Sequence, residues 1–227
     1  MRPLNTPRRR RGLAGTVCLL ACMLAPQAFA DGPGRGLTAP FEVAYLKFIA
    51  DHHYAALRMT ELAAGTDATR DAPIRPDEGT SPTPNFEQSP PKGALAEVKS
   101  IARGANRMQR EEILRARTFL KEWYGIEYQP RIRGTSRRQI ELLEMAAPGR
   151  AFDQMFLTVF SRHHFVATTR STECLAGREL KHDDLRRYCD SIVRVQLNEI
   201  DDMRHLLCRN FAICDYQPFR GLRGRYS

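Results

Sequence analysis

Two pairs of adjacent histidines stand in matching surroundings in the two halves of the chain. The pairs are His52–His53 and His163–His164, and each follows a phenylalanine at the same spacing. A neutral imidazole can bind a transition metal or share a proton with a carboxylate. The pairs therefore predict either a metal site or a buried hydrogen-bonding cluster.

A glutamine and a glutamate follow each histidine pair in the same order. The motif Q-x-x-E-I contains Gln109 and Glu112 in the first half, and Gln196 and Glu199 in the second. Residues at i and i+3 share one face of a helix, and here they interrupt apolar stripes. Because a buried carboxylate needs a partner, we expect these four side chains to support the histidines. Repetition of both motifs indicates two tandem copies of one unit.

The elements that position these residues are predicted to be helices. Adjacent residues on a helix point about 100° apart, so His52 and His163 are expected to face inward, and His53 and His164 to lie on the flanks. Folding each hairpin from its loop is expected to bring His163 level with Gln196. Apolar residues recur at the helical spacing in four long segments, at about 41–64, 94–124, 151–176 and 183–208.

The segments between the helices complete an all-α plan of two helical hairpins. The first hairpin spans 41–125 and contains the Pro-, Gly- and Ser-rich segment 65–93, which is typical of a long exposed loop. The second spans 137–214 and begins with a short lead-in helix at 137–147. Residues 215–227 are predicted to form an irregular basic tail.

Residues 1–30 have the pattern of a secretory signal peptide. The basic run Arg8 to Arg11 precedes the apolar stretch 12–25, and Ala28-Phe29-Ala30 predicts cleavage after Ala30. The stretch is shorter than the ~20 residues that a spanning helix needs, so we expect no membrane span in the mature chain. Acylation at Cys22 is the weaker alternative. The protein is therefore expected to be periplasmic or secreted.

Charge gives little indication of a nucleic-acid partner. The signal segment contains five arginines and no acidic residue, so its removal lowers the formal charge from +9 to 30 − 26 = +4. The remaining basic residues lack the interleaved aromatic residues and motifs of a nucleic-acid site. We interpret them as solvated surface; those near the middle of the chain are Arg131, Arg133, Arg137 and Arg138.

Four cysteines remain after residue 30, and an even count in an exported protein predicts disulfides. A helix over 183–207 would place Cys189 and Cys208 about 28 Å apart, whereas a disulfide needs Cα atoms within ~7 Å. We therefore predict the pairs Cys174–Cys189 and Cys208–Cys214. A thiolate metal site is the alternative.

The residues alone favour a structural cluster over a metal site, because buried polar groups are normally satisfied by hydrogen bonds. The sequence A-D-H-H-x-x-A-x-x-M-x-E-L-A at 50–63, followed by Q-x-x-E-I, nevertheless resembles the exported bacterial family called domain of unknown function 305. The resemblance implies a ferritin-like four-helix bundle, and some members of that family are associated with copper binding through histidine and methionine. The implied ligands are His52, His53, Met59, His163, His164 and Met203.

Two functions therefore stand as hypotheses. The first is a non-enzymatic, exported copper-binding protein in metal homeostasis. The second is a structural or interaction module of the cell envelope, with a homo-oligomer or an envelope protein as its partner. The chain has neither the repeated Glu-x-x-His motif of di-metal oxidases nor a nucleophile motif beside the histidines, so we expect no enzyme.

Overall fold

The computed structural model describes residues 39–66, 83–176 and 180–219. The predicted signal peptide, Cys22, the middle of the segment 65–93 and the end of the basic tail lie outside these ranges. The described residues form five helices and no strand, which confirms the all-α prediction. The helices are α1 (Ala39–Ala64), α2 (Ala96–Tyr124), α3 (Gly134–Met145), α4 (Arg150–Ala176) and α5 (Asp183–Phe211).

The four long helices pack as two hairpins. α1 lies along α2 and α4 lies along α5, while α1 and α4 also pack on each other. The short helix α3 packs across α1 and α4 and closes one side of the bundle. Within the described ranges, no helix is long and apolar enough to cross a membrane.

The two larger apolar clusters of the described residues lie one toward each end of the bundle. The first apolar cluster includes Met59, Phe156 and Met203, and the second includes Leu46 and Ile192. The repeated histidines, glutamines and glutamates lie on the helices between these two clusters. Burial of the apolar residues stabilises the fold by about 1.5–3 kcal/mol per large side chain, whereas a buried polar group between the clusters costs free energy unless it is hydrogen-bonded.

An acidic residue of α4 caps the start of α2. Leu95 stands at the N-cap of α2 but makes no side-chain cap bond. The carboxylate of Asp153 accepts hydrogen bonds from the backbone N–H groups of Ala94 and Leu95, both at 3.0 Å. Because the first N–H groups of a helix have no partner within it, Asp153 ties the second hairpin to the first.

The reciprocal contact joins the hairpins at the other end of the bundle. The buried carboxylate of Glu42 on α1 accepts hydrogen bonds from the backbone N–H of Lys181 at 2.6 Å and of His182 at 3.2 Å, where α5 begins. The Nδ1 atom of His182 is also 2.7 Å from Glu42. Glu42 follows Phe41 as Asp153 follows Phe152. Equivalent residues of the two halves therefore cap each other's return helices.

Both disulfides of the described residues join the cysteines that helix geometry pairs. Cys174 and Cys189 connect α4 to α5, with Cα atoms 6.3 Å apart. Cys208 and Cys214 close the end of α5, with Cα atoms 4.2 Å apart. No thiolate of the four is left for a metal, so the alternative thiolate site is wrong.

The segment after residue 82 is held against α1. The hydroxyl of Thr83 donates to the buried carboxylate of Glu61 at 2.5 Å, and the hydroxyl of Tyr54 donates to the carbonyl of Pro84. Arg110 lies 3.8 Å from Glu61, and neither side chain is exposed. Burial raises the pKa of Glu61 to about 7. The described end of the predicted loop is thus bound to the bundle.

We expect Asp153→Asn and Glu42→Gln each to lower the free energy of unfolding by about 1–2 kcal/mol, the usual range for loss of a helix cap. Each change removes the charge that faces the N–H groups of a return helix. Urea denaturation measures the loss, with Asp201→Asn as the control because this α5 carboxylate is 60 % exposed. A loss no larger than that of the control would show that the cross-hairpin caps do not stabilise the fold.

Candidate functional site

The four paired histidines meet in the middle of the bundle. The rings of His52 on α1 and His163 on α4 are stacked, with centroids 3.6 Å apart and planes inclined by 18°. Nε2 of His163 lies 3.1 Å from the carbonyl oxygen of His52. The first histidine of each pair therefore faces the other hairpin.

The second histidine of each pair faces the return helix of its own hairpin. Nε2 of His53 is 3.0 Å from the carboxylate of Glu112, and Nε2 of His164 is 2.5 Å from that of Glu199. Neither His53 nor His164 is exposed, so the expectation that they lie on the flanks is wrong. We call these four histidines and two glutamates the histidine layer.

The two glutamines do not make the contacts that the expected hairpin register predicts. The side-chain amide of Gln196 contacts Nε2 of His53, on the other hairpin, at 2.9 Å. The amide of Gln109 is buried, and within the described residues neither its nitrogen nor its oxygen has a hydrogen-bond partner. Gln196 therefore links the two hairpins, and the expectation that it lies level with His163 misses this contact with His53.

His52 and His163 are uncharged at neutral pH. Burial lowers the pKa of both well below the ordinary histidine value, and the neighbouring imidazoles lower it further. His163 uses its Nδ1 for a 3.0 Å contact with Gln139 of α3. Nδ1 of His52 and Nδ1 of His164 are buried and have no hydrogen-bond partner in the described part of the chain.

The stacked pair forms the floor of a cavity of about 680 Å³. The walls come from α1, α3 and α4, and they include Lys47, Arg138 and Gln139. Sequence reasoning missed these residues: it placed Arg138 on the solvated surface and read α3 only as a lead-in helix. No local pattern signals the cavity, because it forms only where α3 crosses the other two helices.

The two candidate methionines lie away from the histidines. Met59 and Met203 are fully buried in the first apolar cluster. Met59 is two helical turns beyond His52 on α1, about 10 Å along the axis. Among the described residues, no group of three or more His, Cys, Asp or Glu side chains is arranged to hold a metal ion. The implied ligands are therefore not assembled into one coordination sphere.

The family can be named from a comparison with known families. A model described as "Domain of unknown function (DUF305)" matches residues 88–207, from just before α2 into α5. The chain belongs to the DUF305 family. The match is continuous and does not divide the chain into two copies, so tandem copies of the DUF305 domain stay a prediction. No curated protein matches the chain.

Solved structures share the fold of this DUF305 protein. One is titled "CopM in the Cu(I)-bound form": it is 19% identical, the match covers 75% of this chain and 97% of that one, and the TM-score is 0.53. A second, "CopM in the Cu(II)-bound form", is 20% identical with coverages of 72% and 93% and a TM-score of 0.51. At this level of identity the likeness shows a common helical fold. A ferritin-like classification stays a prediction.

The uncharged state of His52 and His163 gives stability a defined pH dependence. Each has a lower pKa in the folded chain than in the unfolded one, so below about pH 6.5 the unfolded chain binds more protons. The stabilisation is complete above that pH and is lost as the pH falls. We expect the free energy of unfolding of the metal-free protein to fall by up to about 1.4 kcal/mol per pH unit for each histidine.

Urea denaturation between pH 5 and 8 tests this for wild type, His52→Asn and His163→Asn. Glu61 contributes in the opposite direction, because its raised pKa adds stability below pH ~4.5 that is lost as the pH rises through about 7. Glu61 is unchanged in both variants, so the difference from wild type isolates the histidine. Equal slopes in wild type and variants would contradict the neutral pair.

Proposed function

We propose that this protein binds copper outside the cytoplasm, as part of metal homeostasis, with His52 as the anchoring ligand and His163 as its neighbour. One observation carries the proposal: an uncharged imidazole pair forms the floor of a solvent-connected cavity, and Nδ1 of His52 has no hydrogen-bond partner in the described chain. A metal ion binds the neutral imidazole, and the low pKa of His52 removes competition from protons.

The donor set fits copper better than zinc or a hard cation. Structural zinc sites take four ligands, usually with thiolate among them, and the four described cysteines are all in disulfides. Magnesium and calcium prefer several oxygen ligands, which the cavity floor lacks. Imidazole is a ligand that suits copper. His163 becomes a second ligand when its contact with Gln139 or with the His52 carbonyl is released.

His53 and His164 have a positioning role in this proposal. Their contacts with Glu112 and Glu199 fix the orientation of α1 and α4 at the layer, as outer partners orient the ligands of metal sites. Met59 and Met203, implied as ligands by the family resemblance, are packed in the first apolar cluster. We therefore assign both methionines to the core and not to the side chains that coordinate the ion.

Two further observations support the compartment and the metal. Two disulfides are typical of an oxidising compartment, which agrees with the export signal expected in residues 1–30. The copper-bound CopM structures share the helical fold. We propose a binding function without catalysis, since a neutral imidazole pair can hold a metal ion without a catalytic side chain beside it.

Copper(I) titration against a competing chelator, with ascorbate present, tests the proposal on the purified protein. We expect one ion per chain, and His52→Ala and His163→Ala are expected to weaken binding by about tenfold or more. Met59→Leu and Met203→Leu should leave copper affinity close to wild type. His205→Ala is the matched control, because this histidine of α5 is 73 % exposed and lies outside the layer.

The opposite result is equally clear. Copper binding at the layer would be overturned if the wild-type protein took no copper(I) from the competing chelator. It would also be overturned if His205→Ala weakened copper affinity as much as His52→Ala does. In that case a fall in unfolding free energy for His52→Ala, without any change in metal uptake, would identify the histidines as core scaffolding. Thermal unfolding of each variant shows whether weaker copper binding comes from an unfolded protein or from the missing histidine side chain.

A further inference from the structure

The cavity above the histidine pair has a strongly basic wall. Its cationic side chains are Lys47 from α1, Arg133 just before α3, Arg138 from α3 and Arg162 from α4. The carboxylate on this lining is Asp51, and it is already engaged: it accepts from Tyr128, from the backbone N–H of Arg131 and, at 2.7 Å, from Arg133. The cavity therefore keeps an excess of positive charge.

The start of α3 adds backbone donors to the same wall. Gly134, Thr135 and Ser136 form its first turn, and all three line the cavity. Arg133 precedes them in an extended conformation with no side-chain cap bond, and the first turn contains no acidic residue. The N–H groups of an uncapped helix start favour an anion, and the helix dipole adds to the attraction.

The floor and sides supply an independent indication of a ligand. His52 is 6 % exposed, lines the cavity and has an Nδ1 atom without a partner in the described chain. Phe48 and Val166 provide apolar surface beside the stacked imidazoles. The volume of about 680 Å³ lies within the range of small-molecule sites, which combine apolar walls with a few polar groups.

We propose that this cavity, formed by α1, α3 and α4, binds a small organic anion. A carboxylate or phosphate group lies at the start of α3 beside Lys47 and Arg138, and the apolar body of the molecule contacts Phe48, Val166 and the imidazole stack. Guanidinium and helix N-terminal groups recognise either kind of anionic group. The proposal goes beyond copper binding and does not depend on it.

Calorimetric titration of the metal-free protein with benzoate, phenyl phosphate and benzamide tests the site. Benzamide has nearly the shape of benzoate but no charge, so it separates recognition of the anion from burial of the ring. We expect benzoate or phenyl phosphate to bind at one site per chain, and benzamide to bind at least about tenfold more weakly. Binding of the anion is expected to weaken with added salt.

Two neighbouring arginines of α3 provide matched variants. Arg138→Gln removes a cation from the cavity wall, and Arg137→Gln removes one from an exposed position that does not line the cavity. Arg138→Gln and Lys47→Gln are each expected to weaken anion binding by about tenfold, while Arg137→Gln leaves it within about twofold of wild type.

Three outcomes would overturn the anion site. They are no binding of either anion, equal affinity for benzoate and benzamide, and equal effects of Arg137→Gln and Arg138→Gln. Because the protein contains no copper in this experiment, failure of the anion site leaves the copper proposal standing, and failure of copper binding leaves the anion site standing.

Discussion

Burial of four imidazoles in the middle of a helical bundle is the constraint on which the rest of the structure depends. A polar side chain that enters an apolar core without a partner costs about 1–3 kcal/mol, so each histidine fixes the position of a second helix. His53 and His164 fix the return helices through Glu112 and Glu199. His52 and His163 fix one hairpin against the other through their stacked rings. Register and packing of all four long helices follow from these contacts.

At the two ends of the bundle, buried carboxylates also require a partner on another helix. Glu42 and Asp153 are buried, and each is satisfied by the N–H groups that begin a return helix of the other hairpin. The histidine layer and the two helix caps therefore all contain contacts that join one hairpin to the other. A single hairpin would leave Glu42 or Asp153 and one face of its histidines unsatisfied, which explains why the two hairpins form one bundle and not two independent units.

Local sequence patterns were sufficient to predict the helices and the residues of the histidine layer. They were not sufficient to predict which side chains on other helices those residues contact. The starts of α1 and α3 lie within about three residues of the positions that apolar periodicity predicts, and the disulfides follow from helix length alone. Periodicity gives the direction of a side chain on its own helix only. It cannot show that Gln196 crosses to His53, or that α3 brings Gln139 to His163, because both contacts join segments distant in sequence. For the same reason the cavity has no signature in the sequence.

The floor and the wall of the cavity favour different kinds of ligand, and under the copper proposal this difference would limit how a metal ion reaches the layer. The floor presents an uncharged imidazole, which suits a transition-metal ion. The wall presents Lys47, Arg138 and Arg162, whose charges repel a free cation at the separations found in a small cavity. An ion that arrives with an anionic ligand, or after an organic anion has entered, meets much less repulsion. By linkage, an anion that eases copper binding must itself bind more tightly when copper is present. Occupancy of the two sites is therefore expected to be coupled through the charge of the wall.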